Sequence, residues 1–156
     1  MPAIPAIGQP APSFTLPRDG GAEVSLADYA GQIVVLYFYP KDDTPGCTTE
    51  AIDFSTDSEA FAKAGAVVLG VSRDSVKKHE KFRDKHSLKV ALLADEDGAV
   101  CEAYGVWGEK SMYGRTYMGI DRTTFLIGRD GRIARVWEKV KVKDHAAEVL
   151  AAVSAL

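Results

Sequence analysis

Cysteine is scarce in this chain: 156 residues include two, Cys47 and Cys101. Two thiols at this length do not make a disulfide scaffold, which excludes the small crosslinked secreted class. Long apolar runs are missing as well. The longest aliphatic and aromatic stretch, 33–39 (IVVLYFY), is far too short to cross a membrane. Charge of one sign is not in excess. The formal net charge is −3, which gives no electrostatic ground for nucleic acid or an anionic membrane as partner. There is no internal repeat, low-complexity tract or Gly-rich phosphate loop, so nucleotide binding has no support. His79, His86 and His145 with two distant cysteines have no metal-ligand spacing, and residues 95–98 (DEDG) lack the length of a calcium loop. The opening MPAIPAIGQPAPSF lacks a basic start followed by an apolar stretch, so no signal peptide is expected. These absences lead to an expectation of one domain over 1–156, cytoplasmic, with no cofactor or metal.

What is present is an ordinary globular composition, 46% hydrophobic and 26% charged. Residues 1–32 are rich in Pro and Gly and should be loops with short strands at 14–16 and 23–25. Residues 33–39 are continuously apolar, β-branched and aromatic, which predicts a central strand buried on both faces; 66–72 (AVVLGVS) reads the same way. Residues 48–64 carry a helical face through Ile52, Phe54, Phe61 and Ala64, with a break at 55–58. Further along, 75–86 reads as a charged amphipathic helix, 90–94 as a strand and 98–104 as a short helix. Strands at 123–127 and 133–137 flank Gly128-Arg129-Asp130-Gly131 as a hairpin, and 144–156 is a closing helix. Lys139-Val140-Lys141-Val142-Lys143 alternates like an edge strand guarded by charge. Buried strands alternating with helices imply an α/β sandwich with parallel pairing and an antiparallel closing hairpin. Sites in such sheets form at the carboxyl ends of strands, which is where 40–47 would sit.

That segment is the informative one. In YFYPKDDTPGCTTE (37–50) a strand runs into Pro40 and a charged turn, then Thr44-Pro45-Gly46-Cys47 opens a helix. Thr44 suits the N-cap and Pro45 the first helical position. Cys47 then lies near unpaired backbone N–H groups and the positive end of the helix dipole, a setting that favours the reactive thiolate. Thr44 could accept from the Cys47 N–H and still donate its own hydroxyl proton. A helix terminus contributes at most about 2 kcal/mol, too little alone for strong activation. A second donor is therefore required, with Lys41, Arg73, Arg115 and Arg122 as candidates. Arg122 is attractive because it opens the strand TTFLI and would be held rigidly; spacing alone leaves the choice open. The plain alternative is equally weighted: a cysteine in a strand-to-helix turn is often only a small core residue.

The motif closely resembles the active-site loop of peroxiredoxins, in which Pro, three residues, Thr, two residues and Cys follow in order. Pro40, Thr44 and Cys47 match position for position. Thr-Pro-Gly-Cys-Thr looks like the PrxQ branch, also called the bacterioferritin comigratory proteins. GVSRDS (70–75), LLADEDGAVCEAYGVWGEK (92–110) and GIDRTTFLI (119–127) extend the likeness over nearly the whole chain. The resemblance implies a thioredoxin-like fold, a central mixed β-sheet flanked by helices, and thiol-dependent reduction of hydrogen peroxide and organic hydroperoxides. It implies Cys47 as the peroxidatic cysteine, oxidised to a sulfenic acid. It implies that Arg122 stabilises the thiolate and bonds the peroxide oxygens, that Thr44 bonds the peroxide, and that Pro40 shields the sulfur from water. One departure stands out. The two places where this branch carries a resolving cysteine hold Ile52 and Phe82-Arg83. The chain thus looks like a one-cysteine variant reduced by an outside thiol such as thioredoxin or glutaredoxin, monomeric or at most a weak homodimer. A redox sensor or thiol-disulfide relay using Cys47 is the alternative reading.

Other residues are weighed and assigned structural roles. Cys101 reads as inert packing rather than a resolver. His79 reads as a half-buried helix side chain rather than a base. Trp107, Tyr113 and Tyr117 read as rim packing, with lining of the site entrance as the lesser option. Glu50 has two readings, orienting an arginine or standing solvated in the first turn.

Overall fold

The computed structural model describes residues 4–156. Its centre is the apolar run foreseen as a strand. β3 (Ile33–Phe38) is buried at every position and stands in the middle of a five-stranded sheet of order β5-β4-β3-β8-β9. β4 (Ala66–Ser72) pairs parallel to β3, and β5 (Ala91–Ala94) parallel to β4. β8 (Thr123–Ile127) runs antiparallel to β3, and β9 (Ile133–Trp137) antiparallel to β8. The turn joining the last two closes with Gly128 N–H donating to the Arg132 carbonyl. The mixed sheet is the one expected.

Alternation along β3 divides the interior in two. Val35, Tyr37 and Tyr39 face a core built by α1 (Pro45–Thr56), α2 (Ser58–Lys63), α3 (Val76–His86) and α5 (His145–Ser154), through Phe54, Phe61, Phe82 and Val149. Val34, Leu36 and Phe38 face a second core with Phe14, Cys101, Tyr104 and Phe125, which takes in α4 (Ala99–Ala103) and the small N-terminal ribbon of β1 (Thr15–Pro17) with β2 (Glu23–Ser25). Burying one such aromatic is worth roughly 1.5–3 kcal/mol, so the two cores hold the sheet rigid under the site. The helical break falls at Asp57, which ends α1 and precedes α2. Part of the first segment, 1–3, lies outside the described residues.

One expectation needs correction, and one element was unforeseen. Residues 139–143 form no strand: the Val140 N–H is taken by the Arg122 carbonyl, and Lys139 and Asp144 have φ of 47° and 60°, which interrupts an extended run. The unforeseen element is a ribbon. β6 (Trp107–Met112) pairs antiparallel with β7 (Arg115–Ile120) through a turn at Tyr113 and Gly114, both with positive φ. No helix among the described residues is long and apolar enough to cross a membrane.

Candidate active site

The site forms where β3 ends and α1 begins. Tyr39 continues the strand, its N–H donating to the Val71 carbonyl. Pro40 then breaks the ladder, and residues 40–44 turn back to start the helix at Pro45. Thr44 has the extended backbone of an N-cap, but its hydroxyl does not cap as expected. It donates instead to the Lys41 carbonyl at 2.9 Å. The side chain leaves the first-turn N–H groups of α1 uncapped, so their partial positive charge stays available to the sulfur at the third helical position.

Cys47 is 1% exposed. Arg122, just before β8, is the cation that reaches it: Nη2 donates to Sγ at 3.3 Å, while Nη1 donates to Glu50 Oε1 at 2.7 Å. Of the four candidates, it is the one that donates to the sulfur among the described residues. Arg73 lies over the Trp107 ring at 4.4 Å and donates to the Glu96 carbonyl, and Lys41 and Arg115 are exposed. Glu50 is no solvated acid. It is 2% exposed, anchors the guanidinium, and its Oε2 has no partner among the described residues. Burial pushes its carboxyl up to about 7 against the opposing pull of Arg122.

Gly46 contributes by what it lacks. A Cβ there would stand 3.2 Å from Arg122 Nη2, so a side chain would crowd the guanidinium away from the sulfur. Trp107 and Tyr117 line an open groove of about 460 Å³ that begins at Pro40. Tyr113 is 97% exposed at the tip of the ribbon and lines nothing. His79 is fully buried rather than half-buried, because it is drawn onto the Asp42 carboxylate at 2.6 Å. No group of three or more potential metal ligands occurs among the described residues.

Cys101 stands on the other face of the sheet, 0% exposed. Burial raises its thiol far above the ordinary range, and the Asp95 carboxylate adds to this. The two cysteines are unbonded. A thiol held against a guanidinium at a helix start, in a setting poor in water, is equipped for nucleophilic attack; one held against a carboxylate is not.

Residues 7–136 match the AhpC/TSA family. The chain belongs to the AhpC/TSA family. Among relatives of this AhpC/TSA family member, peroxiredoxin Bcp of Bacillus subtilis is 55% identical over 144 residues, which is 92% of each chain. A solved structure of the bacterioferritin comigratory protein of Xanthomonas campestris, described with its alkyl peroxide reduction activity, superposes with a TM-score of 0.86 at 48% identity, over 91% of this chain and 90% of that one. The PrxQ of Xylella fastidiosa, solved as a mutant, gives 0.93 at 43% identity over 98% of both chains. The peroxiredoxin resemblance and the thioredoxin-like fold read from the sequence are thereby borne out.

Proposed function

We propose that this chain is a thiol-dependent peroxidase in which Cys47 is the peroxidatic cysteine and Arg122, Thr44 and Pro40 complete the site. The observation that carries the reading is the Arg122 guanidinium, fixed by Glu50 on one arm and donating to the Cys47 sulfur with the other. The Cys47 thiolate attacks the terminal oxygen of a hydroperoxide. An S–O bond forms, the O–O bond breaks, and the leaving oxygen departs as alkoxide or hydroxide and takes up a proton to give alcohol or water. Sulfur is oxidised by two electrons to the sulfenic acid and the peroxide is reduced by two. Negative charge moves from sulfur to the leaving oxygen during this step. A guanidinium beside the sulfur with a second donating edge can follow that movement without reorganising. The Thr44 hydroxyl donates its hydrogen bond to the Lys41 carbonyl, which leaves its lone pairs to accept the peroxide O–H. Pro40 has no N–H and walls the loop on the groove side.

Hydrogen peroxide and organic hydroperoxides are both substrates on this reading, and an alkyl tail has room in the groove beside Trp107 and Tyr117. Recovery needs an outside thiol. Ile52, Phe82 and Arg83 occupy the resolving positions, and Cys101 lies across the sheet. Thioredoxin or glutaredoxin would attack the sulfenic sulfur, release water and leave a mixed disulfide that a second thiol resolves. A cycle that depends on outside thiols suits a reducing, cytoplasmic setting. The chain would work as one domain and as a monomer or weak homodimer. The decisive experiment is mass spectrometry after stoichiometric peroxide, with and without a thiol trap. A trapped sulfenic acid on Cys47 is expected, and a Cys47–Cys101 disulfide would overturn the one-cysteine cycle. Because Cys47 has no partner thiol on its own face, a sensing or relay role remains the second reading. Slow turnover with every reductant, together with one protein captured on Cys47, would favour it.

A further inference from the structure

The catalytic loop is fastened to α3 by a buried set of polar groups that the peroxidase reading does not use. Of the charged side chains at 41–43, Lys41 and Asp43 are exposed and Asp42 turns inward. Asp42 Oδ2 lies 2.6 Å from His79 Nδ1, and Oδ1 accepts from the Tyr39 hydroxyl at 2.5 Å. Its backbone N–H donates to Asp74 Oδ2 at 2.8 Å, an oxygen that also accepts from the Ser72 hydroxyl at 2.7 Å. His79 Nε2 lies 2.9 Å from the Leu93 carbonyl in β5. A carbonyl can only accept, so Nε2 carries a proton. Nδ1 faces a carboxylate oxygen. Without a second proton there, two lone pairs would face each other at 2.6 Å. The pair therefore shares a proton and is charge-assisted. Burial opposes the charge, but Asp42, the Leu93 carbonyl and Asp74 together outweigh it and raise the histidine's affinity for the proton.

Outside this buried contact, Asp43, held at φ 60°, pairs with Lys85 Nζ at 2.7 Å and His86 Nε2 at 3.0 Å, so the loop is also tied to the far end of α3. We propose that Asp42 and His79 are a positioning pair, holding residues 40–44 against α3 so that Pro40 and Thr44 stay in register with the Cys47 sulfur. This rests on the peroxidase reading of Cys47 and names what keeps that site assembled. Exposed pairs contribute little, so the buried one must carry the restraint. A loop displaced by about 1 Å can cost on the order of a hundredfold in rate, which is why a contact outside the Cys47–Arg122–Glu50 set matters.

The test compares two reactions of the same thiol. Reaction with hydrogen peroxide needs the loop in register; alkylation by iodoacetamide needs only the sulfur. Asp42→Ala and His79→Gln are expected to lose tenfold or more in the peroxide rate constant without slower alkylation, while Asp42→Asn, which keeps an acceptor for Nδ1–H, recovers part of the loss. Nitrogen-15 spectra of the unaltered chain at pH 7 should show both His79 ring nitrogens protonated. A neutral His79 there overturns the proposal even if the variants fail to fold. So do folded Asp42→Ala and His79→Gln proteins that react with peroxide within twofold of the unaltered chain, or that lose both reactions in equal proportion. Cys47→Ser separates the two claims: if it still consumed peroxide, the peroxidase reading itself would fail. If it is inactive while the loop variants react normally, only the positioning role fails.

Discussion

Cys47 and Cys101 are both buried, both near helix starts, and separated by one sheet. They differ in what faces the sulfur. Cys47 receives a hydrogen bond from Arg122, whose other arm is fixed by Glu50. Cys101 has Asp95, whose carboxylate accepts the Cys101 N–H at 2.8 Å and pushes the thiol further toward its neutral form. Helix α4 also spans just five residues, too short for a sizeable dipole, and opens on Gly98 rather than on a threonine and a proline. Burial alone therefore does not separate the two thiols; the sign of the neighbouring charge does.

The comparison can be broken most directly by removing the sulfurs in turn. Cys47→Ser should abolish peroxide consumption in a coupled turnover assay, whereas Cys101→Ser should leave it within about twofold. Next comes the cation. Arg122→Gln should lower the stopped-flow rate constant with hydrogen peroxide by about 10²–10³, the usual loss when one donor to developing charge is removed. Arg122→Lys should fall in between, since an ammonium cannot match the fork that reaches Glu50 and Cys47 together. Gly46→Ala should cost roughly tenfold by moving the guanidinium off the sulfur, with little change in melting temperature.

A smaller effect sharpens the role of Glu50. Its carboxyl, raised from 4.5 to about 7, keeps a proton in the folded chain over a range where the unfolded chain has lost it. The folded state then binds more protons, so this group makes stability fall as pH climbs from 4.5 to 7 and level off above. His145, lowered from 6.5 to about 4 chiefly by burial, acts in the opposite sense over much of that range. The Glu50 contribution is therefore measured as the difference in urea midpoint between the unaltered chain and Glu50→Gln, which should drift against the unaltered chain as pH rises. A difference that stays flat would refute the shift. The smallest effect expected is at the other sulfur. Asp95→Asn should leave Cys101 unlabelled by iodoacetamide in the folded chain, because burial is the larger cause of its inertness.

Much of the frame was legible because its signals are local. The run of seven apolar residues could only be a central strand, and the Gly-bounded turn at 128–131 placed the closing hairpin. Thr-Pro-Gly-Cys fixed the helix start one side chain at a time. What stayed hidden depends on contacts between distant segments. The β6–β7 ribbon has a mostly polar, exposed sequence, and its one cue is Gly114 in the turn. The lysine-valine alternation at 139–143 has strand rhythm but lost its ladder to the Arg122 carbonyl. Asp42 and His79 lie 37 positions apart, and nothing in either neighbourhood announces the other. The choice of Arg122 came through the family likeness, and the structure adds that its guanidinium donates to the Cys47 sulfur. Gly46 could have been read as a plain turn residue; the need for it is visible only once the guanidinium is in place.

The wall of hydrogen-bonded backbone between the two sulfurs has a consequence for timing. On the proposed one-cysteine cycle, once Cys47 holds an oxygen atom the chain has no second thiol on that face of the sheet to repair it, and it waits for a visitor. How long it waits reports how many reduced thiols its surroundings can send. A scavenger built this way also keeps a brief record of recent oxidant exposure, erased at a rate its environment sets.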